Sequence, residues 1–270
     1  MKKLLSLILI TIVFIGCKGC KDVTNNDPNN STLFKTNTTN FTKIALICNL
    51  TKVDPKYYDG WDGNCPGTDV DANIFTKMCK EYQIPYVKLE NEQCTLENVI
   101  SKWKMCISNL NPTNGLFIFF YSGHGGQLYN TKESDGRDET LCFWDGQFVD
   151  DNVWILLNMQ PKTTRCFMVT DCCNSGTNYR LPFTMLNSKK RFFTRGSDPN
   201  LLHIGGCSDG ESSYGNARGG FLTGSLKANF DKEITYEDWF NKTKTSMKNS
   251  GQTPTFAETG ISFKKTKIFQ

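Results

Sequence analysis

Histidine is scarce in this chain: His124 and His203 are the only two among 270 residues. A free thiol, with a pKa of about 8.5, is only a few per cent thiolate at pH 7 and needs a neighbouring base to become nucleophilic. Thiol chemistry here would therefore depend on one of two rings. An excess of one charge is also missing, since 31 basic and 27 acidic residues leave a well-mixed net charge of +4. That excludes a field large enough to recruit nucleic acid. There is no internal repeat, and the apolar stretch Leu4 to Gly16 is too short to span a bilayer comfortably.

What is present concentrates in two short segments. Tyr121-Ser122-Gly123-His124-Gly125-Gly126 follows the apolar run Leu116 to Phe120, and Asp171-Cys172-Cys173-Asn174-Ser175-Gly176 follows Cys166 to Val169. Both runs are short, aromatic or β-branched and bounded by turn residues, as buried parallel strands are. The two loops then fall at the carboxyl ends of neighbouring strands, the usual site location in an open α/β sheet. His203, inside Leu201-Leu202-His203-Ile204, reads as a structural strand residue. His124 sits among glycines, where a side chain can enter a cleft and backbone can approach a substrate.

The pair Tyr-Ser-Gly-His-Gly and Asp-Cys-Cys-x-Ser-Gly resembles the metacaspases, relatives of the caspases, over roughly residues 43 to 270. Cys173 lies 49 positions after His124, close to the spacing of about 50 known in caspases. The resemblance implies a caspase-like three-layer α/β sandwich with a mostly parallel six-stranded sheet. It also implies a cysteine endopeptidase that acts on proteins or peptides as a monomer and cuts after Arg or Lys. In that reading Cys173 is the nucleophile and His124 the base that later protonates the departing amine. The N–H groups of Gly125 and Cys173 would stabilise the oxyanion. Cys172 is the rival nucleophile, with packing at the strand end as its alternative role.

By the same resemblance, Asp171, Ser122 and Asp71 line the pocket for the residue before the cut bond, where two carboxylates favour a basic side chain. Asp71 also suits the first turn of a helix on dipole grounds alone. Thr68 stands where the family commonly has cysteine, and Asn174 where histidine is usual. The chemistry needs no cofactor, but many metacaspases look calcium-dependent, and the matching acidic positions are Asp138, Asp150 and Asp151. Calcium takes six to eight oxygen ligands, and helix capping is the other account of Asp150 and Asp151. A fourth family carboxylate would fall near Arg180, which is basic. Two other readings are an inactive caspase-fold interaction module and a legumain-like or gingipain-like peptidase of different specificity.

Outside the catalytic part, Lys2-Lys3 and the apolar stretch have the form of a signal peptide over residues 1–17. Phe14-Ile15-Gly16-Cys17 resembles a lipobox that would lipidate Cys17. The chain is then exported and held at a membrane only by that lipid, or secreted if the signal is a plain one. Six Asn-x-Ser/Thr triplets, at Asn29, Asn30, Asn37, Asn40, Asn49 and Asn241, matter only in a eukaryotic secretory route. Residues 18–42, dominated by Asn and Thr, read as a flexible tether. Residues 43–270 form the peptidase domain. Of the twelve cysteines, ten remain once Cys17 and Cys173 are set aside, without zinc-type spacing and free to pair or stay reduced. Strand and helix signals alternate, which implies a mostly parallel sheet. Residues 127–149 read as polar and irregular, and Ile261 to Phe269 as an edge strand. Lys189, Lys190, Arg191 and Arg195 form a basic stretch that an Arg- or Lys-directed enzyme would cut in itself.

Overall fold

The computed structural model describes residues 40–131, 133, 135–179 and 198–270. The tether before residue 40, Cys17 and the basic stretch at Lys189, Lys190, Arg191 and Arg195 lie outside the described residues. The chain starts its sheet with β1 (Lys43–Asn49), whose apolar residues are buried on both faces. A loop leads to Gly67, in left-handed backbone at φ 96°, and helix α1 (Thr68–Glu81) begins there with Asp69 and Asp71 in its first turn. After β2 (Tyr86–Glu90), the Thr95 hydroxyl accepts the Asn98 N–H and caps α2 (Leu96–Ser108). Then come β3 (Leu116–Ser122), β4 (Gly125–Tyr129), β5 (Arg137–Phe143), β6 (Gly146–Val149), α3 (Asp150–Asn158) and β7 (Arg165–Asp171). The last elements are β8 (Asn200–Gly205), the short pair β9 (Gly215–Asn216) and β10 (Gly219–Gly220), α4 (Phe221–Ala228), α5 (Tyr236–Ser246) and β11 (Thr255–Thr259).

Six strands form the central sheet in the order β11-β8-β7-β3-β1-β2. All neighbours run parallel except β11, which pairs antiparallel with β8. Ala45, Ile47, Ile118, Phe120, Phe167 and Val169 project from one face onto Phe75 of α1, Leu222 of α4 and Trp239 of α5. The other face is covered by α2, whose Trp103 ring lies 4.9 Å from Phe117 and 4.6 Å from Phe119. Burying a large apolar side chain stabilises by about 1.5–3 kcal/mol, so the runs β3 and β7, buried along nearly their whole length, anchor the fold. This is the expected three-layer α/β sandwich.

Two local expectations are corrected. Residues 127–149 are not irregular: β4, β5 and β6 make an antiparallel three-stranded sheet. Its polar composition hides the strands because the polar side chains pair with one another. Gln127 donates to Glu139 at 3.0 Å, Asn130 to Asp138 at 2.6 Å and Arg137 to Gln127 at 2.7 Å. The edge strand is β11, not Ile261 to Phe269. Gly260, at φ 65°, ends the strand, and Phe263, Ile268 and Phe269 reach the core from turns.

Candidate active site

Parallel pairing in register fixes the site. Ser122 at the end of β3 sits opposite Asp171 at the end of β7, so His124 and Cys173 each lie two residues beyond that pair. A Cβ on Gly125 would come within 1.9 Å of the Cys173 carbonyl oxygen, so the two loops touch through backbone and only glycine permits it. The His124 carbonyl is held twice, by the Tyr121 hydroxyl at 2.8 Å and the Cys142 N–H at 3.0 Å. Tyr121 is itself fully buried, which explains the tyrosine in the motif.

The imidazole of His124 is half-buried, and loss of hydration lowers its pKa below the usual 6.5. Backbone groups of Asn64 and Gly63 oppose that shift, although Nε2 is shut from solvent without an aligned hydrogen-bond partner among the described residues. The net direction leaves a neutral ring at pH 7, the form a general base requires. Cys173 is half-exposed, with Sγ 3.9 Å from the Ser213 carbonyl. Among the described residues its N–H makes no hydrogen bond. Asn174 takes the left-handed conformation at φ 50°, which asparagine tolerates, and its side chain accepts the Gly210 N–H. Cys172 is 2% exposed and its thiol is pushed well above the ordinary range by burial.

Asp71, Ser122 and Asp171 lie together around a narrow cavity of about 40 Å³ also lined by Cys65, Thr68, Cys172, Ser213 and Gly220. Ser122 donates to Asp71 at 2.8 Å, and the Gly220 N–H reaches both Asp71 oxygens at 2.9 and 3.0 Å. Asp171 accepts the Ser213 hydroxyl at 2.9 Å, the Thr223 N–H at 2.9 Å and the Thr223 hydroxyl at 2.7 Å. Burial raises both carboxylates, Asp71 to about 7 with the Asp171 charge as its second cause. Asp171 has more donors to stabilise its anion, so Asp71 holds the proton of the pair first. Among the described residues no Lys or Arg forms an ion pair with either. Sequence reasoning missed Ser213, Thr223 and the Gly219-Gly220 approach. A Cβ on Gly220 would fall 2.2 Å from an Asp171 oxygen, and a Gly-Gly pair was the available signal. A broader groove of about 450 Å³ lies beyond Gly220 and contains none of the predicted residues.

His203 is fully buried, bonded to the Thr170 hydroxyl at 2.8 Å and lowered to about 3 by burial. It is structural, as expected. All ten described cysteines are free thiols. Asp150 and Asp151 gather with Glu133, their ligand oxygens within 4.8 Å of one another. Asp138 is close enough for its charge to raise both Asp150 and Glu133. The N-cap of α3 is Val149, with Asp150 and Asp151 in the first turn, where the Asp150 carboxylate accepts the Asp151 N–H at 2.9 Å. Burial, with neighbouring carboxylates, raises Asp150 to about 9 and Glu133 to about 7. Among the described residues one buried Glu133 oxygen has no hydrogen-bond partner. Carboxylate oxygens are the hard ligands that calcium takes. Glu133 was not anticipated, because it lies in the segment read as irregular.

A family model described as "Caspase domain" matches residues 42–265. Metacaspase-1 of Schizosaccharomyces pombe is 26% identical over 199 residues, 52% of this chain and 47% of that protein. Metacaspase-1 of Arabidopsis thaliana is 29% identical over 162 residues, 50% of this chain and 44% of that protein. The chain thus spans under half the length of these relatives. Protein GSU0716 from Geobacter sulfurreducens is similar in structure, with a TM-score of 0.72 and 28% identity, covering 84% of this chain and 98% of that one. Caspase-1 from Spodoptera frugiperda shares the fold at a TM-score of 0.56 and 14% identity, covering 87% and 94%. With its sheet order, its paired His and Cys loops and a family match over nearly all of the described domain, the chain belongs to the caspase-domain family.

Proposed function

We propose that this protein is a cysteine endopeptidase of metacaspase type that cleaves peptide bonds after Arg or Lys. The observation that supports it best is the seating of the Gly125 backbone against Cys173, which brings the base loop onto the nucleophile loop. In the reaction His124 takes the Cys173 proton, and the thiolate attacks the carbonyl carbon, forming a C–S bond. The carbonyl electrons move to oxygen, facing the N–H groups of Cys173 and Gly125. Collapse breaks the C–N bond while the imidazolium gives its proton to the leaving amine. Water, deprotonated by His124, then cleaves the thioester and returns the thiol. Cys172, buried and held as a thiol, is no rival.

Specificity follows from the Asp71 and Asp171 pair. An arriving guanidinium or ammonium supplies the missing positive charge and lets both carboxylates ionise, while an acidic side chain would add a third negative charge. Glu133, Asp138, Asp150 and Asp151 would hold calcium, whose charge offsets their repulsion beside β5 and α3. The intact site argues against an inactive module. Residues 1–17 as a lipoprotein signal with Cys17 lipidated, and 18–42 as a tether, complete the proposal. A panel of fluorogenic peptides ending in Arg, Lys, Asn or Asp tests it: turnover of Arg and Lys alone is expected. Turnover of Asn instead would point to a legumain-like enzyme.

A further inference from the structure

One exposed aromatic residue at the site has no assigned task. Trp61 keeps 45% of its surface in water, yet its ring centroid lies 4.6 Å from that of His124 at an interplanar angle of 60°. The loop that carries it is held at several points. Tyr58 donates to the Phe143 carbonyl at 2.6 Å, and the Asp54 N–H to the Trp144 carbonyl at 3.0 Å. Val53 donates to Asp62 and Cys65 to Thr51, each at 2.8 Å. Gly63, at φ 61°, allows the closing bend, since a Cβ there would meet Val53 at 2.8 Å. Trp61 also meets Tyr58 edge to face at 5.9 Å. The loop is therefore held in place, with the indole tilted against the imidazole and 45% of its surface facing solvent.

We infer that Trp61 is a positioning residue for His124 and the platform for the substrate residue directly after the cut bond, where it selects a large apolar or aromatic side chain. The inference rests on the peptidase reading above. His124 hands its proton to the departing amine, so a ring packed at a tilt beside it meets the residue that amine belongs to. An indole face favours an aromatic ring and gives nothing to a carboxylate. The same contact restricts the imidazole to one orientation, which matters because small misplacements of a proton-transfer group are costly.

Two measurements test it. Internally quenched peptides with Arg before the bond and Phe, Leu, Gly or Asp after it are turned over by wild type, Trp61→Phe and Trp61→Ala. Wild type should prefer Phe to Gly by roughly three- to tenfold in kcat/KM. Trp61→Phe should keep most of that preference, and Trp61→Ala should abolish it and lower kcat on every peptide. In parallel, polarisation titrations of the Phe and Asp peptides on Cys173→Ala, with and without Trp61→Ala, read the platform without turnover. Tighter binding of the Phe peptide, lost with Trp61→Ala, supports the inference. Equal binding of the two peptides, or a Phe-to-Gly preference unchanged in Trp61→Ala, overturns it. A wild type that cleaves none of the peptides sinks the peptidase reading instead, and the binding titrations still decide the platform.

Discussion

Replacing Asp71 by Asn should make the protein more stable at pH 8 while weakening it as an enzyme. Burial and the Asp171 charge hold the Asp71 carboxyl at about 7 rather than 3.8. A carboxyl raised in this way binds its proton more tightly folded than unfolded, so its contribution to stability is present below pH 3.8 and is lost as pH rises through about 7. At 1.36 kcal/mol per pKa unit, three units amount to about 4 kcal/mol. Asn removes that cost but keeps one acceptor for the Gly220 N–H, and the Ser122 hydroxyl can turn to accept from the new amide. Mismatch in these bonds should take back about 1 kcal/mol, leaving a gain of about 1–3 kcal/mol at pH 8. For a domain of this size that is a rise in Tm of roughly 2–10 °C. The gain should shrink toward pH 5, where Asp71 carries a proton in the wild type as well. Scanning calorimetry on a Cys173→Ala background, free of self-cutting, measures it. A Tm for Asp71→Asn that is equal or lower at pH 8, or a gain independent of pH, would refute the account of a repelling carboxylate pair.

Three further outcomes are expected. Asp171→Asn should cost about 3–5 kcal/mol of interaction with an Arg side chain, a loss of a hundredfold or more in kcat/KM, and unchanged kinetics on an Arg peptide would remove Asp171 from the pocket. Millimolar calcium should raise Tm at pH 7.5 and lose that effect in Asp150→Asn, as thermal melts with and without chelator would record; an equal shift in both proteins places calcium elsewhere. Intact-mass analysis should find fragments ending at Lys189, Lys190, Arg191 or Arg195 in wild type but not in Cys173→Ala, and one uncut species in both would rule out self-processing.

The parts that could be read from the sequence are those where one residue type answers one physical need. Buried parallel strands show as apolar runs, so β3 and β7 and the loops after them stand out, and His124 and Cys173 follow. Strand and helix signals alternate along the chain, as the mostly parallel sheet requires, and Thr95 caps the start of α2. Strand pairing carried by polar side chains left no hydrophobic trace, as with Arg137, Asp138 and Glu139 in β5. Ile261 and Phe263 alternate as a strand would, but Phe263, Ile268 and Phe269 reach the core from turns. Contacts between distant segments were beyond local reasoning: Thr223 holds Asp171 across 52 positions, and Trp61 meets His124 from a loop with no motif of its own.

The most direct test of the central claim compares wild type, Cys173→Ala and Cys172→Ala on one Arg-terminated fluorogenic peptide, with circular dichroism confirming that all three are folded. The account predicts turnover by wild type, none by Cys173→Ala and a measurable fraction by Cys172→Ala, because Cys173 is half-exposed while Cys172 is 2% exposed. Equal loss in the two variants, or cleavage that survives Cys173→Ala, would contradict it.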